Sequence, residues 1–308
     1  MRVLFVVSGN HGKISPVVKA QGDALLKAGV EIEYFLIKGK GVKGYLKQIK
    51  PLREHCRKGG YDVVHAHFSF SAYVASLAGV KPLVVSLMGS DLKASRWNKM
   101  AIRLFAALFN WREVIVKSRD MAKDLPIKNL HIIPNGVDME LFIPMDKTAC
   151  RKKLGWEESG KHILFPANPD RKEKDYPLAA SSVALLGDGV QIHAFRNVPH
   201  DETVYYYNAA DVVLLTSKWE GSPNAIKEAM ACSRPIVCTD VGDVRERLTG
   251  VAHGWVVDKF DEKTIAAALQ SAIDFNGRNN GREKIVTDKL DNSSIVQRLK
   301  EVYSSVIS

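Results

Sequence analysis

Short aliphatic, β-branched runs alternate with longer amphipathic stretches along all 308 residues of the chain. No other feature restricts the fold as strongly. Runs of strand length fall at residues 3–7, 32–37, 63–64, 83–87 and 114–116, with amphipathic segments at 16–28, 42–57, 72–77 and 92–111 between them. The scheme then repeats, with strands expected at 162–165, 191–194, 212–215, 236–238 and 255–257 and helices at 176–186, 202–209, 223–231 and 264–275. Strand–helix alternation of this kind specifies parallel sheets covered by helices on both faces. The length suits two domains of roughly 150 residues. A polar, charged stretch at 144–155 follows an Asn-Gly turn and is read as the boundary, giving domains at 1–146 and 147–290. A last helix, 291–308, carries Ile295, Leu299, Val302, Tyr303 and Val306 on one face.

Four widely spaced cysteines and no C-x-x-C pair indicate neither a zinc site nor a disulfide framework. The apolar run at 3–7 ends at Ser8-Gly9 and reads as a strand, not a leader peptide. No segment approaches the ~18 continuous apolar residues of a membrane span. The net charge of +10 is uneven: residues 1–145 hold 22 Lys and Arg against 11 Asp and Glu, and the remainder is balanced. The basic half calls for a polyanionic partner. Neither a nucleic-acid motif nor an aromatic ladder is present.

In open parallel sheets, ligands bind beyond the carboxyl ends of the strands. The candidates are therefore loops that follow strands. The most informative is Trp219-Glu220-Gly221-Ser222-Pro223-Asn224-Ala225-Ile226-Lys227-Glu228-Ala229-Met230. Ser222 is a suitable N-cap and Pro223 suits the first helical position. A helix start offers free N–H groups and partial positive charge, which suit a phosphate. Glu220 precedes that start, and Glu228 lies about 7.5 Å along the helix at ~1.5 Å per residue. An anion site between two carboxylates fits a nucleotide sugar, with sugar and ribose hydroxyls at either end.

This segment resembles the Glu-x7-Glu signature of retaining glycosyltransferases with the GT-B fold, specifically glycosyltransferase family four. The likeness extends to Ala210-Asp211-Val212-Val213-Leu214-Leu215 before it, Ser233-Arg234-Pro235-Ile236-Val237 after it, and Ile133-Pro134-Asn135-Gly136-Val137-Asp138 upstream. It implies an α/β protein with two facing Rossmann-like domains and an interdomain cleft. It also implies that Lys174 and Arg171, in Asn168-Pro169-Asp170-Arg171-Lys172-Glu173-Lys174, hold the donor diphosphate. The family's Arg sits six positions before the Lys, where this chain has Asn168.

The resemblance further implies that His67, in Asp62-Val63-Val64-His65-Ala66-His67, lies near the reacting centre, with Glu220 on the sugar and Glu228 on the ribose. His65 is read as a structural core histidine. Donor contacts are expected from Gly221, Ser222, Pro223, Asn224, Thr239, Gly242 and Asn197, and from Gly9 and Gly12 in the loop after the first strand. Acceptor contacts are expected from His11 and Asp91; Met88 stands where the family's turn usually has His. Two basic segments remain open between a solvated or packed helix and an interfacial one: residues 40–58, and 96–112 with Trp97 and Trp111 at its ends.

The resulting expectation is a retaining transferase moving a hexose-type sugar from a nucleoside diphosphate sugar to a glycan, lipid-linked or small-molecule acceptor. No cofactor and no metal are expected, since no Asp-x-Asp motif occurs. The expected location is the cytoplasm, peripheral on the inner membrane face through the basic first domain, with no nucleic-acid partner. The rivals are a nucleotide-sugar epimerase of the same fold and a non-catalytic nucleotide-sugar-binding subunit of a polysaccharide assembly system.

Overall fold

The computed structural model describes residues 1–9, 12, 14–39, 41–93, 95–109 and 111–307. The chain forms two compact units, Met1–Gly136 with Asn292–Ser308, and Val137–Asp291.

The first unit is built on β1 (Arg2–Ser8), β2 (Glu31–Ile37), β3 (Val63–His67), β4 (Leu83–Ser86), β5 (Glu113–Val116) and β6 (Leu130–Ile132). All pairings are parallel, in the order β2-β1-β3-β4-β5-β6. Its helices are α1 (Pro16–Lys27), α2 (Gly41–Leu46), α3 (Ile49–Gly59), α4 (Ser69–Leu77), α5 (Gly89–Lys93), α6 (Arg96–Leu108) and α7 (Arg119–Asp124). Successive side chains of a strand point to opposite faces. Leu4 and Val6 accordingly join one apolar cluster with side chains of α3, α4 and α6, and Val3, Phe5 and Val7 join another with α1. Burial on both faces explains the unbroken apolar run.

The second unit holds α8 (Lys147–Leu154), β7 (Lys161–Phe165), α9 (Tyr176–Ala184), β8 (Val190–Ala194), α10 (Thr203–Ala209), β9 (Val212–Leu215), α11 (Asn224–Ala231), β10 (Ile236–Thr239), α12 (Val244–Leu248), β11 (Gly254–Val257), α13 (Glu262–Phe275) and α14 (Gly281–Thr287). The parallel sheet runs β11-β10-β9-β7-β8. A final helix, α15 (Asn292–Ile307), returns to the first unit. Its Ile295, Leu299, Val302 and Tyr303 share a core with Val3 and Phe5, and the Tyr303 hydroxyl meets His65 Nδ1 at 2.7 Å.

The unit boundary falls at Gly136, ten residues before the expected one at 146. Phe142 is part of the second unit's core, and Val137 N–H donates to Leu290 O at 3.0 Å. Asn208 fixes both Ile143 O and Met145 N. The stretch read as a polar linker contains α8, capped by Asp146, whose Oδ1 accepts from Ala149 N at 2.7 Å. Its charge is deceptive: Arg151 is buried and pairs with buried Asp211 at 2.7 Å. The helix expected at 42–57 is two helices, because Pro51 cannot donate to the carbonyl four residues back and suits a first turn. The helix expected at 92–111 is likewise divided between α5 and α6.

In each sheet the chain leaves in opposite directions from one adjacent strand pair: β1 and β3 in the first unit, β7 and β9 in the second. Such switch points open crevices at the carboxyl ends of the strands. The candidate residues cluster in the loops there.

Candidate active site

In the second unit, the turn after β7 and the loop after β9 are tied together. Thr216 Oγ1 lies 3.0 Å from Lys174 O and 2.9 Å from Asp175 O, and Lys218 N–H donates to Glu173 O at 2.9 Å. Asp175 takes up the left-handed region, φ 54°, which turns the chain from the Lys174 turn into α9. The result is that Lys174 Nζ donates to Glu220 Oε1, with both side chains largely buried, and Ser217 Oγ donates to the same oxygen at 2.9 Å. Two residues 46 positions apart thus meet at the switch point.

The loop after β10 backs this arrangement. Thr239 Oγ1 donates to Ser217 O at 2.7 Å, so Thr239 braces the Glu220 loop from below. Gly242 has φ 61°, and a Cβ there would stand 2.5 Å from Gly221 O. Only glycine permits that approach. Gly221 and Ser222 lead to Pro223, which is the N-cap of α11, one position later than expected. Its ψ of 122° keeps it outside the helix, and no side chain caps the first turn. The N-cap side chain thus makes no bond to the first turn, and the Asn224 side-chain oxygen is buried without a partner.

Glu228, on α11, is buried and aimed at α10: Tyr207 OH donates to its Oε2 at 2.7 Å, and His200 Nε2 lies 3.3 Å from its Oε1. The hydrogen bond to Glu228 raises the His200 pKa above the usual imidazole value, against a smaller opposing effect of burial. Burial pushes the Tyr207 phenol well above its ordinary pKa, so it stays a donor. Beneath the loop, Lys227 is fully buried, with Nζ 3.4 Å from Ser222 Oγ. Burial lowers its pKa to about 8, opposed by nearby Asp243, which itself pairs with Arg247 at 2.8 Å.

Arg171 is not drawn into this group. Its guanidinium pairs with Glu173 at 2.6 Å and is largely exposed. Asn197, after β8, sits in a left-handed turn with φ 56°, beside Phe195 packed on Tyr206 and Tyr207.

In the first unit, Gly9 N–H donates to Ile37 O at 2.8 Å, and a Cβ on Gly9 would lie 2.9 Å from Leu36 Cβ. Gly12, with φ 71°, donates to Gly9 O at 2.9 Å. His11 lies outside the described residues. His65 and His67 stack with centroids 4.2 Å apart. His65 is structural, bonded to Tyr303 and to Ser86 Oγ at 2.8 Å. His67 is fully buried and both its ring nitrogens lack hydrogen-bond partners. Burial holds its pKa well below the usual value, helped by His65 and Lys117, so the ring is neutral. The next residue, Phe68, has φ 73° and ψ 150°, a region almost reserved for glycine. Asp91 clamps this kink: Oδ1 accepts from Ser69 N at 3.0 Å and Ser69 Oγ at 2.7 Å, and Oδ2 accepts from Met88 N at 2.7 Å. Asp91 therefore has a structural task in this turn.

Tyr207, His200, Ser217 and the buried Lys117 were not singled out from the sequence. Tyr207 is one of three consecutive tyrosines, and nothing in that run shows which one faces α11. Among the described residues, no three His, Cys, Asp or Glu side chains form a group that could hold a metal ion, and no helix is long and apolar enough to cross a membrane.

This geometry has clear relatives. Residues 16–141 match the family described as "Glycosyltransferase Family 4", and residues 167–274 match "Glycosyl transferases group 1". An Escherichia coli UDP-Gal:alpha-D-GlcNAc-diphosphoundecaprenol alpha-1,3-galactosyltransferase is 25% identical over 312 residues, covering 85% of this chain and 80% of that protein. For the D-inositol 3-phosphate glycosyltransferases of Catenulispora acidiphila and Geodermatophilus obscurus the alignment spans 65% and 62% of their length. Among solved structures, sucrose-phosphate synthase from Thermosynechococcus elongatus superposes with a TM-score of 0.81 at 18% identity, covering 99% of this chain and 98% of that one. Anabaena HepE in complex with UDP-glucose gives 0.78 at 18% identity, covering 99% and 100%. The two matched families cover both units, and the chain belongs to the family-four, group 1 glycosyltransferases of GT-B fold.

Proposed function

We propose that the protein is a retaining glycosyltransferase that moves a hexose-type sugar from a nucleoside diphosphate sugar to a glycan, lipid-linked or small-molecule acceptor. The observation that carries this reading is the meeting of Lys174 with Glu220 at the second unit's switch point, on the loop that leads into α11. A cation and uncapped N–H groups suit a diphosphate, and a carboxylate suits sugar hydroxyls. As the glycosidic bond breaks, the leaving phosphate gains charge, and Lys174 stabilises it. Arg171 adds to the positive field of the same turn. Glu228, steadied by Tyr207, accepts from ribose hydroxyls with its remaining lone pairs. The N–H groups from Gly221 to Asn224 hold the phosphate or sugar, while Thr239 and Gly242 keep that loop in place. Asn197 lies beside the base.

Retention is taken from the family, whose reaction is thought to proceed on one face of the sugar with the leaving phosphate assisting proton transfer. The UDP-glucose complex of HepE and the UDP-galactose donor in the name of the Escherichia coli relative favour a uridine nucleotide.

Thermal-shift screening against uridine, guanosine and adenosine diphosphate sugars tests the reading. A donor at about 100 times its dissociation constant stabilises by about 2.7 kcal/mol. One nucleotide series should raise the melting temperature and should then be cleaved slowly in water. If no donor shifts the melting curve, the proposal fails.

A further inference from the structure

Under the loop that leads into α11, the second unit buries a charge that packing alone does not call for. Lys227 is the fourth residue of α11, and its neighbours Ile226, Ala229 and Met230 are fully buried apolar side chains. Lys227 is fully buried with them. A leucine or methionine would fill such a place without the cost of taking an ammonium out of water. Helical side chains lean toward the N-terminus of their helix. Lys227 reaches back in this way to the preceding loop, where Nζ donates to Ser222 Oγ at 3.4 Å.

The surroundings act on that ammonium from two elements. Asp243 and Glu228 favour its charged form, and Arg247 opposes it. Asp243 directly precedes α12 and is itself buried. Its Oδ2 accepts from Arg247 Nε at 2.8 Å, while Oδ1 is buried without a hydrogen-bond partner, so Arg247 neutralises the carboxylate only in part. The loop after β10 therefore serves the Glu220 loop twice. Gly242 packs closely on Gly221 O, and Asp243 supplies counter-charge to Lys227.

An ammonium has three hydrogens to donate and no acceptor, whereas a serine hydroxyl gives one hydrogen and accepts through two lone pairs. With Lys227 occupying a lone pair of Oγ, the Ser222 hydrogen has to be directed away from Nζ. We infer that Lys227 sets the polarity of the Ser222 hydroxyl, holding it as a hydrogen-bond donor to the diphosphate of the nucleotide sugar. In this role Lys227 acts through Ser222, as a positioning residue, and not on the substrate itself. The inference rests on the donor reading of this loop and adds a pH dependence to it. A neutral amine is an acceptor, so once Lys227 sheds its proton the Ser222 hydrogen turns inward to Nζ and the diphosphate loses a donor. Burial outweighs the two carboxylates and pushes the lysine down to about 8, which sets where the change occurs.

The experiment is calorimetric titration of the full chain with uridine, guanosine and adenosine diphosphates at pH ~7, ~8 and ~9. For the diphosphate that binds, Ser222→Ala should bind about tenfold more weakly than the wild type at pH ~7, and the gap should close by pH ~9. Lys227→Met fills the same space and should match Ser222→Ala in both respects. The two changes combined should bind no more weakly than either alone. Titration of the ligand and of other groups is common to all four proteins and cancels in these comparisons. Ser222→Ala retains the buried lysine, so its pH profile decides the matter even if Lys227→Met fails to fold. A gap between wild type and Ser222→Ala that does not change with pH, or additive losses in the double variant, would overturn the inference and leave the donor reading standing. A wild type that binds none of the three diphosphates would overturn both.

Discussion

Replacing Lys174 by Met tests the pairing at the heart of the site. In the wild type, Glu220 Oε1 receives both Lys174 Nζ and Ser217 Oγ, with the Lys and Glu side chains only 12% and 14% exposed. Removing the ammonium leaves a mostly buried carboxylate with one neutral donor. A buried group left without its partner costs about 1–3 kcal/mol. In a unit of this size each kcal/mol lowers the melting temperature by roughly 2–4 °C. The expected loss is therefore about 2–12 °C without ligand. Glu220→Gln on the Lys174→Met background removes the uncompensated charge while its amide oxygen still accepts from Ser217. The double variant should recover most of the loss, with a coupling of about 1–2 kcal/mol. With the true donor, Lys174→Met should lower kcat about 10²–10³-fold, as for loss of one preorganised donor to a charge that forms in the transition state. Differential scanning fluorimetry on the four proteins measures the coupling, and single-turnover donor cleavage measures the rate. Additive melting shifts, or a variant with near wild-type kcat, would refute the reasoning.

Other consequences can be measured separately. Tyr207→Phe removes a buried hydroxyl-to-carboxylate bond and should cost about 1.5–3 kcal/mol in urea denaturation, with weaker nucleotide binding; unchanged values on both counts would rule out a positioning role. Gly242→Ala should destabilise the second unit by about 1–3 kcal/mol, because the residue must keep φ 61° and its methyl meets Gly221 O; a normal melting curve would contradict the packing. His200 has a raised pKa in the fold, so its contribution is complete below the unfolded value and lost as pH rises through the folded one. His200→Asn should therefore lose more stability near pH ~6 than near pH ~8; a gap independent of pH would count against the Glu228 contact. Lys227, lowered to about 8, sheds its proton in the fold before the unfolded chain does. Wild-type stability relative to Lys227→Met should then rise between pH ~8 and ~10, and a flat difference would mean that the lysine stays charged.

Much of the site was legible because it depends on local chemistry. Pro223 and the apolar face behind it announce α11, and the glycines at 9 and 242 mark places where backbone or neighbouring side chains leave no room for a Cβ. Strands were legible where both faces are buried, as in β1. The unreadable parts depend on long-range pairing. The meaning of α8 turns on Asp211, 60 positions from Arg151, and without that partner its charges suggest a linker. Tyr207 is separated from Glu228 by 21 positions and the whole of β9, and period alone could not distinguish it from its neighbours. The turn around Asp91 resembles the family's, but its engagement by Ser69 and Met88 becomes visible only once β3 and β4 pair.

The return of α15 sets an order on biosynthesis. Phe5 and His65, near the beginning of the chain, share a core with Tyr303, 238 positions beyond His65. As the polypeptide leaves the ribosome, β1 and β3 can pair early, but the groove destined for α15 stays open until the whole second unit has emerged. Until then the nascent first unit leaves Val3, Phe5 and Val63 without the apolar cover that α15 supplies. A premature stop before residue 292 would damage the end of the protein that is made first.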